Sequence, residues 1–84
     1  MTAYDKLLHI AAQLRTQYPV GTPVRLIYMN DPQAPPIGTT GIVDYIDDMA
    51  TVFVKWKTGS HLGVVYDVDK IEKVRNNDES PVQT

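Results

Sequence analysis

The sequence predicts a mainly β protein: a small five-stranded barrel preceded by one N-terminal amphipathic α-helix. Three observations predict this class. Five short segments rich in β-branched and aromatic residues follow one another at a spacing of about ten residues. Tight turns separate these segments, and a glycine interrupts one of them, as it does where a sheet curls. Before them, residues 2–17 place apolar side chains at helical spacing.

The helix is predicted over residues 2–17. Its apolar stripe recurs at i, i+3, i+4, i+7 and i+10 and consists of Tyr4, Leu7, Leu8, Ala11 and Leu14. Thr2 is the expected N-cap, with Asp5 as the short-armed acid of a capping box. Tyr18-Pro19 ends the helix, because proline disfavours α geometry at the residue before it. We expect the stripe to lie across an end or a face of the barrel.

Five segments are predicted as strands. In chain order they are residues 21–29, 39–46, 51–57, 60–66 and 70–74. The third, TVFVKWK, is the clearest, because its residues alternate at a period of two and direct Val52, Val54 and Trp56 to the core. Gly41 predicts a bulge or a tight bend in the second strand. Gly59 suits the positive φ of a tight hairpin between the third and fourth strands.

Length and composition predict one domain without a covalent framework. Its parts are an N-terminal helix (1–18), a barrel (19–74) and a polar tail (75–84) that we expect to be disordered. The 84 residues include no cysteine, which excludes disulfides and thiolate metal cages. No segment has the roughly 18 apolar residues of a membrane span, and no signal peptide is evident. We therefore expect a cytoplasmic protein that does not enter a membrane.

No group of residues predicts catalysis. The sequence lacks a nucleophile elbow, a phosphate-binding glycine loop and a Cys/His pair. His9 and His61, predicted on the helix and on a strand, are expected to be ordinary surface or packing residues. The acidic residues of the predicted second strand and corners lack the periodicity of a calcium loop and are expected to bond turn backbone groups; they are Asp44, Asp47, Asp48, Asp67 and Asp69. We expect no enzyme activity, no metal and no cofactor.

The segment MNDPQAPPIG, residues 29–38, is the predicted partner-binding site. Asn30-Asp31-Pro32 favours an Asx turn and Pro35-Pro36 favours polyproline II geometry, so the segment loses little entropy when it is ordered. The candidate contact residues are Met29, Asn30, Asp31, Pro32, Pro35 and Pro36. In the alternative interpretation the prolines seal one end of the barrel, with Met29 and Ile37 as plugs. The sequence favours neither alternative.

A second candidate surface lies on the outer face of the third strand. Its basic and aromatic residues could pair with phosphates and stack on a base; they are Arg25, Phe53, Lys55 and Lys57. Alternatively, Phe53 receives the N-terminal helix and the lysines are solvated. The chain as a whole has a net charge of −2, which gives no global basic field to attract nucleic acid.

Trp56, the only tryptophan, has two possible roles. It can form one wall of an exposed aromatic pocket together with Tyr28, Tyr45 or Tyr66. It can instead belong to the core. Its alternation with Val52 and Val54 favours the core.

Several motifs carry a resemblance to known proteins. They are Pro19-x-Gly21-Thr22, Met29-Asn30-Asp31-Pro32, Pro35-Pro36-x-Gly38-Thr39, Gly41-x-Val43, Asp47-Asp48 and Val54-x-Trp56-x-x-Gly59-Ser60. Over residues 17–74 the chain resembles a domain-of-unknown-function family of short phage, prophage and mobile-element proteins. Its core is also similar to the SH3-like barrels of ribosome-associated and tudor-type domains. The pattern departs from the family at Asn30, where an acidic residue is commoner, and at Lys57-Thr58, which replaces an acidic-Asn turn.

The resemblance implies a function as well as an SH3-like barrel. The expected protein is a non-catalytic interaction module that binds a host or phage protein through the 29–38 loop and the barrel rim. Interference with a host process such as defence or translation fits a phage or mobile-element origin. The alternative is a nucleic-acid-binding barrel, and a third possibility is a small-ligand binder that becomes competent only as an oligomer.

Overall fold

The computed structural model describes residues 1–75. One helix, α1 (Ala3–Gln17), precedes five strands: β1 (Pro23–Tyr28), β2 (Thr40–Ile46), β3 (Val52–Trp56), β4 (Gly63–Val64) and β5 (Lys70–Lys73). The strands form one antiparallel sheet in the order β4-β3-β2-β1-β5. The predicted mainly β fold with one N-terminal helix and five strands is confirmed. The predicted polar tail, apart from Arg75, lies outside the described residues.

The sheet is open, and the predicted barrel, closed or nearly closed, is not confirmed. β4 and β5 stand at the two ends of the strand order, and no pairing joins them in the part of the chain that the structure describes. β4 has two residues, whereas the sequence predicts a strand over 60–66. His61 therefore lies in a loop, not in a strand.

Side chains form hydrogen bonds with backbone groups that a longer β4 would use for strand pairing. The Leu62 carbonyl accepts a hydrogen bond from the Trp56 indole at 3.0 Å, and the Leu62 N–H donates to Ser60 Oγ at 3.2 Å. The Val65 N–H donates to Asp69 Oδ2 at 2.9 Å. A backbone group that bonds a side chain is not available for pairing with a neighbouring strand. These contacts therefore limit β4 to Gly63–Val64.

Two β-bulges bend the sheet, and neither lies at Gly41. The β1–β5 register shifts between Leu26 and Tyr28, and the β2–β3 register shifts between Val43 and Tyr45. A bulge at Gly41, one of the two predicted alternatives, is therefore wrong. A Cβ at Gly41 would lie 2.7 Å from the Lys55 carbonyl oxygen, so the glycine permits close approach of β3.

The core lies on one face of the sheet and under the helix. Val52, Val54 and Trp56 are 3%, 0% and 3% exposed, which confirms their predicted direction. The other buried members of the core are Ala11, Val24, Leu26, Met29, Val43, Ile46, Ala50 and Val64. Gly59 has φ +94° and its N–H donates to the Trp56 carbonyl at 2.9 Å, which confirms the predicted hairpin glycine.

The helix begins at the predicted capping box. The Asp5 N–H donates to Thr2 Oγ1 at 3.1 Å, and the Thr2 N–H donates to Asp5 Oδ2 at 3.3 Å. The face that packs on the core differs from the prediction, because Ile10 joins it, Tyr4 is exposed and Leu8 is not among the side chains packed against the core. The packed side chains of the helix are Leu7, Ile10, Ala11 and Leu14.

Arg15 holds this helix face against the sheet. Its Nε and Nη2 donate to the Ile46 carbonyl at 3.1 and 2.8 Å, and Nη2 also contacts Asp48 Oδ1 at 3.0 Å. The guanidinium thereby joins the last turn of α1 to the end of β2. Within residues 1–75, no helix combines the length and the apolar character needed to cross a bilayer.

Candidate partner-binding site

The 29–38 loop is anchored at both ends. At its carboxyl end, the Gly38 N–H donates to the Leu26 carbonyl and the Leu26 N–H donates to the Thr39 carbonyl, each at 2.8 Å. At its amino end, the Asn30 N–H donates to Asp69 Oδ1 at 2.9 Å. The loop is therefore fixed to β1 on one side and to the β4–β5 connection on the other.

Hydrogen bonds inside the loop confirm the predicted Asx turn. Asp31 Oδ1 accepts the Gln33 N–H at 2.7 Å, and the Asp31 carbonyl accepts the Ala34 N–H at 3.0 Å. Further on, the Pro36 carbonyl accepts both the N–H and the hydroxyl of Thr39, at 3.0 and 2.6 Å. The prolines restrict the backbone, and these bonds hold the turns at Asp31 and Pro36, so the loop is preordered at both turns.

The loop has an inner and an outer side, and the candidate residues divide between them. Met29 and Pro35 are buried. The other four face solvent: Asn30, Asp31, Pro32 and Pro36. Ile37 is 71% exposed, because it lies in the turn that returns the chain to β2, so the prediction that it plugs the barrel is wrong.

Asp69 links this loop to the β4–β5 connection. Its two carboxylate oxygens accept the N–H groups of Asn30 and Val65, both at 2.9 Å, and its own N–H donates to the Val65 carbonyl at 2.9 Å. The sequence correctly predicts Asp69 as a corner residue that bonds turn backbone. That prediction depended only on the acidic corner motif DVD. The motif does not reveal the contact of Asp69 with Asn30, which is 39 residues away in the chain.

Three more of the predicted acidic residues also have structural partners. Asp47 Oδ1 accepts the N–H groups of Met49 and Thr51 at 2.9 and 3.0 Å, as expected for the β2–β3 turn. Asp48 pairs with Arg15, and Asp44 Oδ1 lies 3.8 Å from the Lys55 ammonium. Across residues 1–75, no three His, Asp or Glu side chains are grouped so that they could hold a metal ion.

The outer face of the sheet carries an aromatic pair. The Phe53 ring stacks on Tyr45 with centroids 4.6 Å apart and planes at 14°. Gly63 lies opposite Phe53, and a Cβ there would be 3.0 Å from the ring. The prediction that Phe53 receives the helix is wrong, because strand alternation directs Phe53 away from the core face that the helix covers.

The predicted basic residues share this outer face, and two of them are paired with carboxylates. Arg25 Nη1 lies 2.9 Å from Glu72 Oε2, and Lys55 is the partner of Asp44. Lys57 is exposed at the end of β3. Because each paired carboxylate offsets a positive charge, the face is only weakly basic.

The alternative role for Trp56, as a wall of an exposed aromatic pocket, is wrong. The side chain is buried in the core, and its only polar atom, Nε1, donates a hydrogen bond to the Leu62 carbonyl. The three candidate tyrosines are exposed instead: Tyr28, Tyr45 and Tyr66.

Removing the Asp69 carboxylate is expected to loosen the loop more than the core. Asp69→Ala leaves the N–H groups of Asn30 and Val65 without their protein acceptors, and because both hydrogen bonds are exposed, we expect a cost of about 0.5–1.5 kcal/mol for each. We expect faster hydrogen exchange at these two amides, with little change at the amides of β2. Asp48→Ala, which removes a carboxylate from a different turn, is the control. Unchanged exchange at Asn30 in Asp69→Ala would show that the loop is held by other contacts.

The fold and the site together define a class: a small domain of one helix on an open antiparallel sheet, presenting a preformed loop. A family model described as Domain of unknown function (DUF4314) matches residues 8–74. The chain belongs to this family, which confirms membership of a domain-of-unknown-function family. Neither the curated proteins nor the solved structures contain a match to the chain.

Proposed function

We propose that this protein is a non-catalytic interaction module that binds a protein partner through the 29–38 loop and the adjoining rim of the sheet. The main support is the anchoring of the loop at Leu26 and Asp69, while Asn30, Asp31 and Pro32 face solvent. A segment that is already ordered loses less conformational entropy when a partner docks.

The fold class, the origin, the cellular location and the partner of the protein are part of the same proposal. The five short strands, with β1 between β2 and β5 and a bulge in each of β1 and β2, support an SH3-like barrel that is left open at one seam. The sequence resemblance supports a phage or mobile-element protein that acts in the host cytoplasm. Its partner is a host or phage protein, and binding interferes with a host process such as defence.

Capture of a partner by wild type and by a loop variant tests this function. Immobilised Asn30→Ala/Asp31→Ala is expected to retain at least about tenfold less of a bacterial protein than wild type, since interface hot spots contribute 2 kcal/mol or more. Lys57→Ala, on the outer face, is the control and is expected to capture as much as wild type. Circular dichroism checks that each variant is folded. Equal capture by the loop variant and wild type would contradict the proposal.

Nucleic-acid binding is the second candidate, favoured by the Tyr45–Phe53 stack beside Lys55, in which Tyr45 is exposed and Phe53 is half-buried. The pairing of Arg25 and Lys55 with carboxylates and the net charge of −2 weigh against it. Titration with single- and double-stranded DNA at rising salt separates the two candidates. A steep loss of affinity with salt, abolished in Lys55→Glu/Lys57→Glu, would favour the nucleic-acid interface.

A further inference from the structure

The last strand, β5, has a free edge. It ends the sheet, and β1 is its only strand neighbour in the part of the chain that the structure describes. In an antiparallel pair, every second residue directs its N–H and C=O to the neighbouring strand. The Val74 N–H donates to the Pro23 carbonyl at 3.0 Å, so Val74 and Glu72, two residues earlier, face β1. Ile71 and Lys73 alternate with them and direct their backbone groups to the free edge.

The residue opposite Ile71 supports this direction. Leu26 is the partner of Ile71 in the register of β1 and β5. The Leu26 N–H donates to the Thr39 carbonyl, and the Leu26 carbonyl accepts the Gly38 N–H, each at 2.8 Å. Because Leu26 uses both backbone groups on its other side, Ile71 has no bonding partner in β1. The edge of β5 therefore presents the donors and acceptors with which a further strand pairs.

The charges along this edge are complementary to themselves. The segment DKIEK, from Asp69 to Lys73, carries negative, positive, neutral, negative and positive side chains in that order. When a second copy runs antiparallel with Ile71 opposite Ile71, Lys70 of each copy lies opposite Glu72 of the other. Asp69 lies opposite Lys73 in the same register. Every charge then faces an opposite charge on the same face of the sheet, and each such pair contributes roughly 0.2–1 kcal/mol.

Neighbouring registers place like charges together. Because outward residues must lie opposite outward residues, the register changes only in steps of two. One such step puts Glu72 opposite Glu72 of the second copy, and the step in the other direction puts Lys70 opposite Lys70. Like charges that are directly opposite destabilise a strand pair. Lysines at an edge commonly oppose the addition of strands, but in this sequence they favour one register with a second copy.

The charges of the edge are available for these pairs. Among the described residues, neither Lys70 nor Lys73 has a carboxylate partner. The Asp69 oxygens accept neutral backbone N–H groups, which leave the negative charge of the side chain uncompensated. Glu72 pairs with Arg25, but its side chain is 51% exposed, so a second cation can approach the carboxylate.

We propose that the free edge of β5 is a self-association site, at which two copies of this chain pair antiparallel about Ile71. The two sheets join into one continuous sheet, with a twofold axis at Ile71. Each Ile71 N–H donates to the Ile71 carbonyl of the other copy, and each Lys73 N–H donates to the Asp69 carbonyl of the other copy. This interface does not include the 29–38 loop, so the inference goes beyond the proposed function.

A charge exchange tests the register. Lys70→Glu places a carboxylate opposite Glu72 of the second copy, and Glu72→Lys places an ammonium opposite Lys70. Each variant alone is expected to raise the dimer dissociation constant at least about tenfold, measured by sedimentation equilibrium. An equimolar mixture of the two variants restores opposite charges at both contacts, so we expect heterodimers with about the affinity of wild type. Lys57→Glu makes the same charge change outside the edge and should dimerise as wild type does.

Amide signals of the full chain locate the contact. Between about 10 µM and 1 mM wild type, we expect concentration-dependent shifts and slower hydrogen exchange at Ile71 and Lys73, with little change at Phe53. Lys73→Pro removes an outward N–H but no bond to β1, and it is expected to weaken the dimer at least about tenfold. This variant replaces the charge exchange if circular dichroism shows that Lys70→Glu or Glu72→Lys is unfolded.

Three results would overturn the proposal. The first is a wild-type chain that stays monomeric up to about 1 mM. The second is a dimer whose amide shifts are centred on strands other than β5. The third is a mixture of folded Lys70→Glu and Glu72→Lys that associates no more tightly than either variant alone.

Discussion

Trp56→Ala is expected to lower the free energy of unfolding by about 3–5 kcal/mol. The side chain is 3% exposed and lies on the same face as Val52 and Val54, so its removal leaves a large cavity in a thin core. Because small domains have total stabilities of roughly 5–15 kcal/mol, we expect a substantial unfolded population. Urea denaturation followed by circular dichroism measures the change, since the variant has no tryptophan fluorescence.

A second substitution separates packing from hydrogen bonding at Trp56. Trp56→Phe keeps an aromatic ring but leaves the Leu62 carbonyl without its indole donor, and we expect a loss of about 1–3 kcal/mol. Phe53→Leu, on the outer face of the same strand, is the control and is expected to cost less than about 1.5 kcal/mol. A loss below about 1 kcal/mol in Trp56→Ala would contradict the placement of this residue in the core.

Gly41→Ala is expected to destabilise the protein by about 3 kcal/mol, near the upper end of the usual cost of overpacking. The added Cβ would lie 2.6 Å from Val54 Cγ1, 2.7 Å from the Lys55 carbonyl oxygen and 3.0 Å from Trp56 Cα. The last two are backbone atoms, so relief requires that β2 and β3 separate. Gly41 also pairs with Val24, which places the clash in the middle of the sheet.

The neighbouring residue supplies the control for Gly41. Ile42 points to the outer face and is 43% exposed, and Ile42→Ala is expected to cost less than about 1 kcal/mol. Both variants are compared by urea denaturation, with the midpoint and the slope recorded separately. If Gly41→Ala were as stable as wild type, the close approach of β3 would not be the reason for this glycine.

Local sequence patterns determined the elements and much of the core. The Thr2 cap, the alternation of Val52, Val54 and Trp56 and the positive φ of Gly59 depend on residues close in the chain, and all three are confirmed. The Asx turn in the 29–38 loop was predictable for the same reason, because proline and Asx-turn chemistry act over a few residues.

The open seam, the bulges and the link from Asp69 to Asn30 were decided only by the tertiary structure. Each depends on which backbone groups meet after the chain has folded: a side chain 39 residues away accepts the Asn30 N–H, and the Trp56 indole bonds a carbonyl that a longer β4 would need. Single-residue propensities do not encode such competition between side chains and strand partners. The sequence by itself therefore determined the strands and the inward face of β3, whereas long-range hydrogen bonds decided where the sheet stops and how its candidate binding surface is assembled.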